Sequence, residues 1–187
     1  MTASDPPQPD RTPTGGHMLS RQRTVLSLGS NLGDRLDNLQ EAIDALFDAP
    51  GLTFVALSPV YETAPWGGIE QPDFLNVVVM AETRIPPETL LERVLSIEDA
   101  MRRERVIHWG PRTLDIDIVT FGDVVSDDPD LTLPHPHAHE RAFVLVPWAD
   151  IDPGAVLPGR GAVADLVAAV GTADVTLRGE LILQPPA

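Results

Sequence analysis

Cysteine is absent from this chain, which excludes disulfide frameworks, thiolate metal sites and cysteine nucleophiles and favours an intracellular location. Cations are scarce: 13 Lys and Arg stand against 28 Asp and Glu, a formal net charge of −15. A chain this acidic repels phosphate backbones, which argues against general nucleic-acid binding. It can still bind a nucleotide if it gathers its few cations in one place. No run approaches the roughly 20 consecutive apolar residues that a membrane span requires. The N-terminus has no apolar stretch of the kind a signal peptide carries, so a cytoplasmic protein is expected. Neither a G-x-x-x-x-G-K-[ST] phosphate loop nor a Rossmann glycine fingerprint after the first strand occurs.

What is present fits one folded domain. Apolar residues make up 43 % and charged residues 22 % of 187 positions, enough for a core. Met1 to about Ser20 is rich in Pro and Gly and reads as a disordered tail, leaving 21–187 as a single domain. Thr24 to Leu28 reads as a strand, followed by the turn Gly29 to Gly33. A helix of about Asp34 to Phe47 carries Leu36, Leu39, Ile43, Leu46 and Phe47 on one face and ends at Pro50-Gly51. Leu52 to Tyr61 and Phe74 to Thr83 read as strands separated by a Pro- and Gly-rich loop. Pro86-Pro87 opens a second helix with Leu90, Leu91, Val94, Ile97 and Met101 as its buried stripe. An arginine-rich loop of about Arg102 to Thr113 leads to a strand from Leu114 to Phe121. The order strand-helix-strand-strand-helix-strand predicts an α+β, ferredoxin-like fold, an antiparallel sheet with helices packed on it. Beyond Gly122 the pattern predicts a hairpin near Val124 to Leu133, short helices near His139 to Val146 and Ala162 to Val170, and a last strand near Val175 to Leu183.

The chemistry concentrates at Trp109-Gly110-Pro111-Arg112-Thr113-Leu114-Asp115-Ile116-Asp117-Ile118. Side chains alternate along a strand, so Leu114, Ile116 and Ile118 share one face and Asp115 and Asp117 the other. Adjacent carboxylates repel unless a cation lies between them, and Mg²⁺ suits one or two carboxylates completed by phosphates and water. The competing reading is a solvated strand face. Just before the strand, Arg102, Arg103, Arg105 and Arg112 account for four of the 13 basic residues. They form either a solvated loop or the guanidinium cluster that polyphosphate transfer needs. Phe74 and Asn76 share a strand face, where ring and amide could take a flat, hydrogen-bonding heterocycle or serve the core. His135, His137 and His139 alternate as a zinc set would, but Pro136 interrupts a regular strand.

These residues resemble the signature of the 6-hydroxymethyl-7,8-dihydropterin pyrophosphokinases of folate biosynthesis. The likeness runs from Thr24 to Ile151 and includes Leu28 to Gly33, Tyr61-Glu62-Thr63-Ala64-Pro65, Gln71 to Asn76, Leu131 to His135 and Arg141-Ala142-Phe143. Ala64, Trp66, Asp130 and Pro136 depart from the family pattern, and the segment after Thr172 has no match to it. The resemblance implies transfer of the β,γ-pyrophosphate of ATP to the hydroxymethyl oxygen of a reduced pterin, with release of AMP. It implies two Mg²⁺ on Asp115 and Asp117, and catalytic roles for these and for Arg103 and Arg112. It implies ATP contacts from Arg103, Arg105, Trp109, Arg112, His135 and Arg141. Phe74 and Phe143 would sandwich the pterin, Asn76 would bind its polar edge, and Thr63, Ala64, Pro65 and Trp66 would complete that pocket. A monomer without nucleic-acid or membrane partners is expected. The alternative is a non-catalytic nucleotide-binding module of the same fold.

Overall fold

The computed structural model describes residues 20–65, 71–101 and 113–186. Residues 1–19 of the tail, Trp66 of the expected pterin loop and the arginine-rich segment 102–112 lie outside the described residues.

The chain opens with strand β1 (Gln22–Ser30) and helix α1 (Arg35–Asp48). Asp34 caps α1, its carboxylate accepting the Asp37 N–H at 3.2 Å, a contact of the kind that stabilises a helix by about 1 kcal/mol. Leu39, Ala42, Ile43 and Leu46 form the buried stripe of α1. The expected second strand divides into β2 (Leu52–Leu57) and β3 (Tyr61–Thr63). Pro59 has no N–H to give a ladder, so the pairing is interrupted there. Ser58 bridges the gap: its N–H donates to the Val78 carbonyl, and its hydroxyl accepts the Val78 N–H, both at 2.9 Å.

Strand β4 (Phe74–Thr83) agrees with the sequence reading, and helix α2 (Pro87–Met101) buries Leu90, Val94 and Ile97. Strand β5 (Asp115–Phe121), the hairpin β6 (Ser126–Asp128) and β7 (Leu131–Leu133), and a 3₁₀ turn (Ala138–Glu140) follow. Helix α3 (Ala142–Ile151), the short pair β8 (Val156–Leu157) and β9 (Gly161–Ala162), helix α4 (Val163–Val170) and strand β10 (Val175–Leu177) complete the chain. The last strand is shorter than expected because the chain turns at Arg178, whose carbonyl accepts the Leu181 N–H at 2.9 Å.

The main sheet runs β10-β3-β4-β1-β5, with β2 also on β4, and every pairing is antiparallel. Two β-α-β units thus interleave, which is the ferredoxin-like arrangement. One face is largely apolar: Leu26, Leu28, Val77, Val79, Ile116 and Ile118 pack under α1 and α2. The other face is divided. Val25, Val78, Met80 and Val119 are covered by α3 and α4, while further along the same strands the cover ends and polar residues begin. The site lies at that boundary.

Candidate active site

Register places the polar residues in rows. Gly29 lies between Asn76 on one neighbour and Asp115 on the other, and Ser27 lies between Val78 and Asp117. Asp115 and Asp117 project to one side, opposite Leu114, Ile116 and Ile118, which are at most 6 % exposed. The alternation expected from sequence therefore holds. Both carboxylates line a cavity of about 250 Å³ together with Thr63, Ala64, Phe74, Asn76, Arg141 and Phe143. Segments far apart in sequence thus deliver the expected metal and pterin residues to one place. Pro65 does not line the cavity, and His135 reaches it through Asp117. Trp66, Arg103, Arg105, Trp109 and Arg112 fall outside the described residues.

The Phe74 side of the cavity is fixed by short polar contacts. The buried Asn76 amide donates to the Thr63 hydroxyl at 2.9 Å, which orients the amide and leaves its oxygen as an acceptor. Gly29 makes room for that oxygen: a Cβ there would stand 3.1 Å from Asn76 Oδ1 and 3.6 Å from the Phe74 ring. Arg141 precedes α3 and donates to Asp117 Oδ2 at 2.8 Å, with its guanidinium 5.6 Å from the centre of the Phe143 ring. One residue therefore links the carboxylate pair to an aromatic wall.

The charges explain what the carboxylates can hold. Burial and the nearby Asp115 charge push the Asp117 carboxyl above its ordinary value, and His135 and Arg141 offset only part of this. A divalent cation would relieve the same repulsion. Two carboxylates with no thiolate form a hard, oxygen-only donor set that leaves positions for phosphate and water, which fits Mg²⁺. His135 is shifted down, chiefly by burial, so its imidazole is neutral at neutral pH. Its Nδ1 accepts the His137 N–H at 3.2 Å, which puts the proton on Nε2, 3.7 Å from Asp117 Oδ2. The three histidines do not assemble a zinc site: His137 is exposed near Glu140, and no group of three or more ligating side chains is positioned for a metal ion among the described residues.

Several contributors had no role in the sequence reading. Glu98 of α2 is 4 % exposed and accepts the Ile116 N–H at 2.8 Å, fixing β5 between its two aspartates. Its only sequence signal was an acid on the buried side of a helix. Asn31 donates to Gln71 Oε1 at 3.1 Å and to the Pro72 carbonyl at 3.0 Å, holding the approach to Phe74. Val170, Asp174 and Val175, from the segment after the family likeness ends, also line the cavity.

Comparison with known proteins gives the family. The family described as 7,8-dihydro-6-hydroxymethylpterin-pyrophosphokinase matches residues 25–153. A 2-amino-4-hydroxy-6-hydroxymethyldihydropteridine pyrophosphokinase of Mycobacterium tuberculosis is 46 % identical over 149 residues, covering 74 % of this chain and 77 % of that protein. The protein of the same name in Pseudomonas aeruginosa is 43 % identical over 148 residues, covering 79 % and 91 %. Among solved structures, a Plasmodium falciparum HPPK-DHPS chain superposes with a TM-score of 0.65 at 16 % identity. That match covers 82 % of this chain and 46 % of the other, so this chain spans less than half the length of the fused protein and shares its fold over that part. By profile and by relatives, the chain belongs to the 7,8-dihydro-6-hydroxymethylpterin-pyrophosphokinase family.

Proposed function

We propose that this chain transfers the pyrophosphoryl group of ATP to the hydroxymethyl oxygen of 6-hydroxymethyl-7,8-dihydropterin, releasing AMP, and that the residues at the open end of its sheet carry the reaction. The chain is an ATP-dependent pyrophosphokinase of folate biosynthesis by family. The observation that supports the residue assignment is the convergence of Asp115 and Asp117 with Phe74, Asn76 and Phe143 on one cavity. A nucleotide-binding module without turnover would not need the heterocycle-facing groups beside the carboxylates.

Asp115 and Asp117 would hold the metal, with two Mg²⁺ as the reading. Mg²⁺ held there would offset charge on the triphosphate and ease attack on the transferred group. The protein's own groups do the positioning. Phe74 and Phe143 offer aromatic faces to the pterin ring, and the fixed Asn76 amide presents its oxygen to ring N–H donors. Arg141 spends one donor on Asp117 and has others for phosphate oxygens. Arg103, Arg105 and Arg112 supply the rest of the cationic screen, and Trp109 helps exclude water that would otherwise hydrolyse ATP. His135, neutral and next to Asp117, is a donor for the nucleotide.

The test is product analysis. Incubation with ATP, Mg²⁺ and the pterin is expected to yield AMP and the pterin pyrophosphate in equal amounts. Formation of ADP, or AMP released at the same rate without the pterin, contradicts the reading.

A further inference from the structure

The family match ends at residue 153, yet the chain continues as a strap around the edge of the sheet. It leaves α4 on the divided face and runs along the sheet edge as β10. It finishes on the opposite face, where Gln184 and Gln40 exchange backbone and side-chain hydrogen bonds of 2.8 and 3.1 Å. Leu181 and Leu183 pack against the core beneath α1 and α2.

Three observations connect this strap to the pocket. Val170, Asp174 and Val175 line the same cavity as Phe74 and Asn76, and Val170 is 40 % exposed although apolar. In β10, Val175 pairs with Thr63, the residue whose hydroxyl orients the Asn76 amide. Arg178, just past β10, donates its backbone N–H to the Val60 carbonyl at 2.9 Å and its guanidinium to Glu62, between Tyr61 and Thr63 on β3. Glu62 also accepts from Arg35 at 2.8 Å, and the same Arg35 nitrogen donates to the Asp73 carbonyl at 2.7 Å, one residue before Phe74. One carboxylate between two guanidiniums therefore ties the strap, β3 and the start of β4 into a unit.

From this we infer that the C-terminal strap is a working wall of the pterin pocket and that Arg178, acting through Glu62, is a positioning residue that sets pterin affinity. The inference rests on the reading of the cavity as the pterin site. Arg178 touches no reacting group. It holds Val175 against Thr63, and through Glu62 and Arg35 it steadies the segment that presents Phe74. Arg178 also donates to Glu180 at 2.6 Å, so its guanidinium is held from two sides; a partly exposed pair of this kind adds little stability and acts by fixing position.

The test measures dissociation constants for the pterin and for a non-hydrolysable ATP analogue with Mg²⁺, using full-length protein and the variants Arg178→Ala, Arg178→Lys, Val175→Ala and Asn76→Ala. Arg178→Ala is expected to weaken pterin binding about ten-fold, the scale of a lost hydrogen bond to a charged group. Affinity for the ATP analogue is expected to stay the same. Arg178→Lys is expected to recover part of the loss, because it keeps a positive charge beside the Glu62 carboxylate. Val175→Ala removes a wall side chain without touching the ion pairs and is expected to weaken the pterin several-fold, even if Arg178→Ala folds poorly. Unchanged pterin affinity in Arg178→Ala and Val175→Ala, with loss in Asn76→Ala, overturns the wall and leaves the pocket reading standing. Unchanged affinity in all variants overturns the pocket reading as well. Parallel loss of pterin and nucleotide affinity together with thermal stability means that Arg178 only supports the fold, and also overturns the inference.

Discussion

The two faces of the central sheet are built from alternate residues of the same strands, yet they serve different ends. The face under α1 and α2 is apolar along its middle, with Leu26, Leu28, Val77 and Val79 fully buried and only small hydroxyl residues such as Ser30 and Thr24 at the strand ends. The opposite face is apolar only where α3 and α4 cover it. Beyond that boundary it carries Ser27, Gly29, Asn76, Asp115 and Asp117. Stability is concentrated on the first face, and charge repulsion is tolerated on the second. The closeness of Asp115 to Asp117 is unfavourable for the metal-free protein, which is how sites that must grip a cation commonly differ from cores.

The comparison breaks most sharply at the aspartates. Asp115→Ala or Asp117→Ala is expected to lower kcat by about 100- to 1,000-fold, as when other electrostatic groups are removed from active sites. Circular dichroism should find the fold intact. Next in size is the other face. Leu28→Ala is expected to cost about 2–5 kcal/mol in denaturant unfolding, because its neighbours cannot close the cavity. At temperatures where that variant is folded, its KM for the pterin should match the parent's.

A smaller effect sharpens the contrast in sign. Asp115→Asn removes the charge that, after burial, most raises Asp117, so Asp117 should titrate at lower pH in the metal-free variant than in the parent, followed by NMR of its carboxyl carbon, while activity falls. An unchanged Asp117 titration would show that the repulsion is not felt.

The smallest effect concerns Glu62. Burial alone would raise its carboxyl, but hydrogen bonds from Arg35 and Arg178 outweigh this and hold it below the ordinary value of 4.5. An acid with a lowered folded value stabilises fully above its unfolded value and loses that contribution as pH falls through the folded one. The stability gap between the parent and Glu62→Gln, of order 1 kcal/mol or less, should therefore persist at pH 7 and shrink below about pH 4 in urea titrations.

Much of this architecture was legible in the sequence because the period-two pattern is strict where a strand has one apolar face. Leu114, Ile116 and Ile118 fixed which side Asp115 and Asp117 take. The spacing of Phe74 and Asn76 fixed theirs. The arginine cluster could be read as phosphate chemistry only by its composition, and it lies outside the described residues. What was not legible depends on contacts between distant segments. Glu98 reads as a misplaced acid until the Ile116 N–H is seen against it. Ser58 replacing part of a ladder beside Pro59 split a strand that looked continuous. The alternation of Val175, Leu177, Leu181 and Leu183 signals the last strand, but where the strap runs is set by Glu62, Val60 and Gln40, which sequence spacing does not reveal.

Titration with Mn²⁺ in place of Mg²⁺, followed by electron paramagnetic resonance in the presence of a non-hydrolysable ATP analogue, tests the assignment of the carboxylate pair most directly. Two bound ions per chain are expected in the parent protein, with at least one lost or greatly weakened in Asp115→Ala and in Asp117→Ala. Equal stoichiometry and affinity in all three proteins would contradict the account.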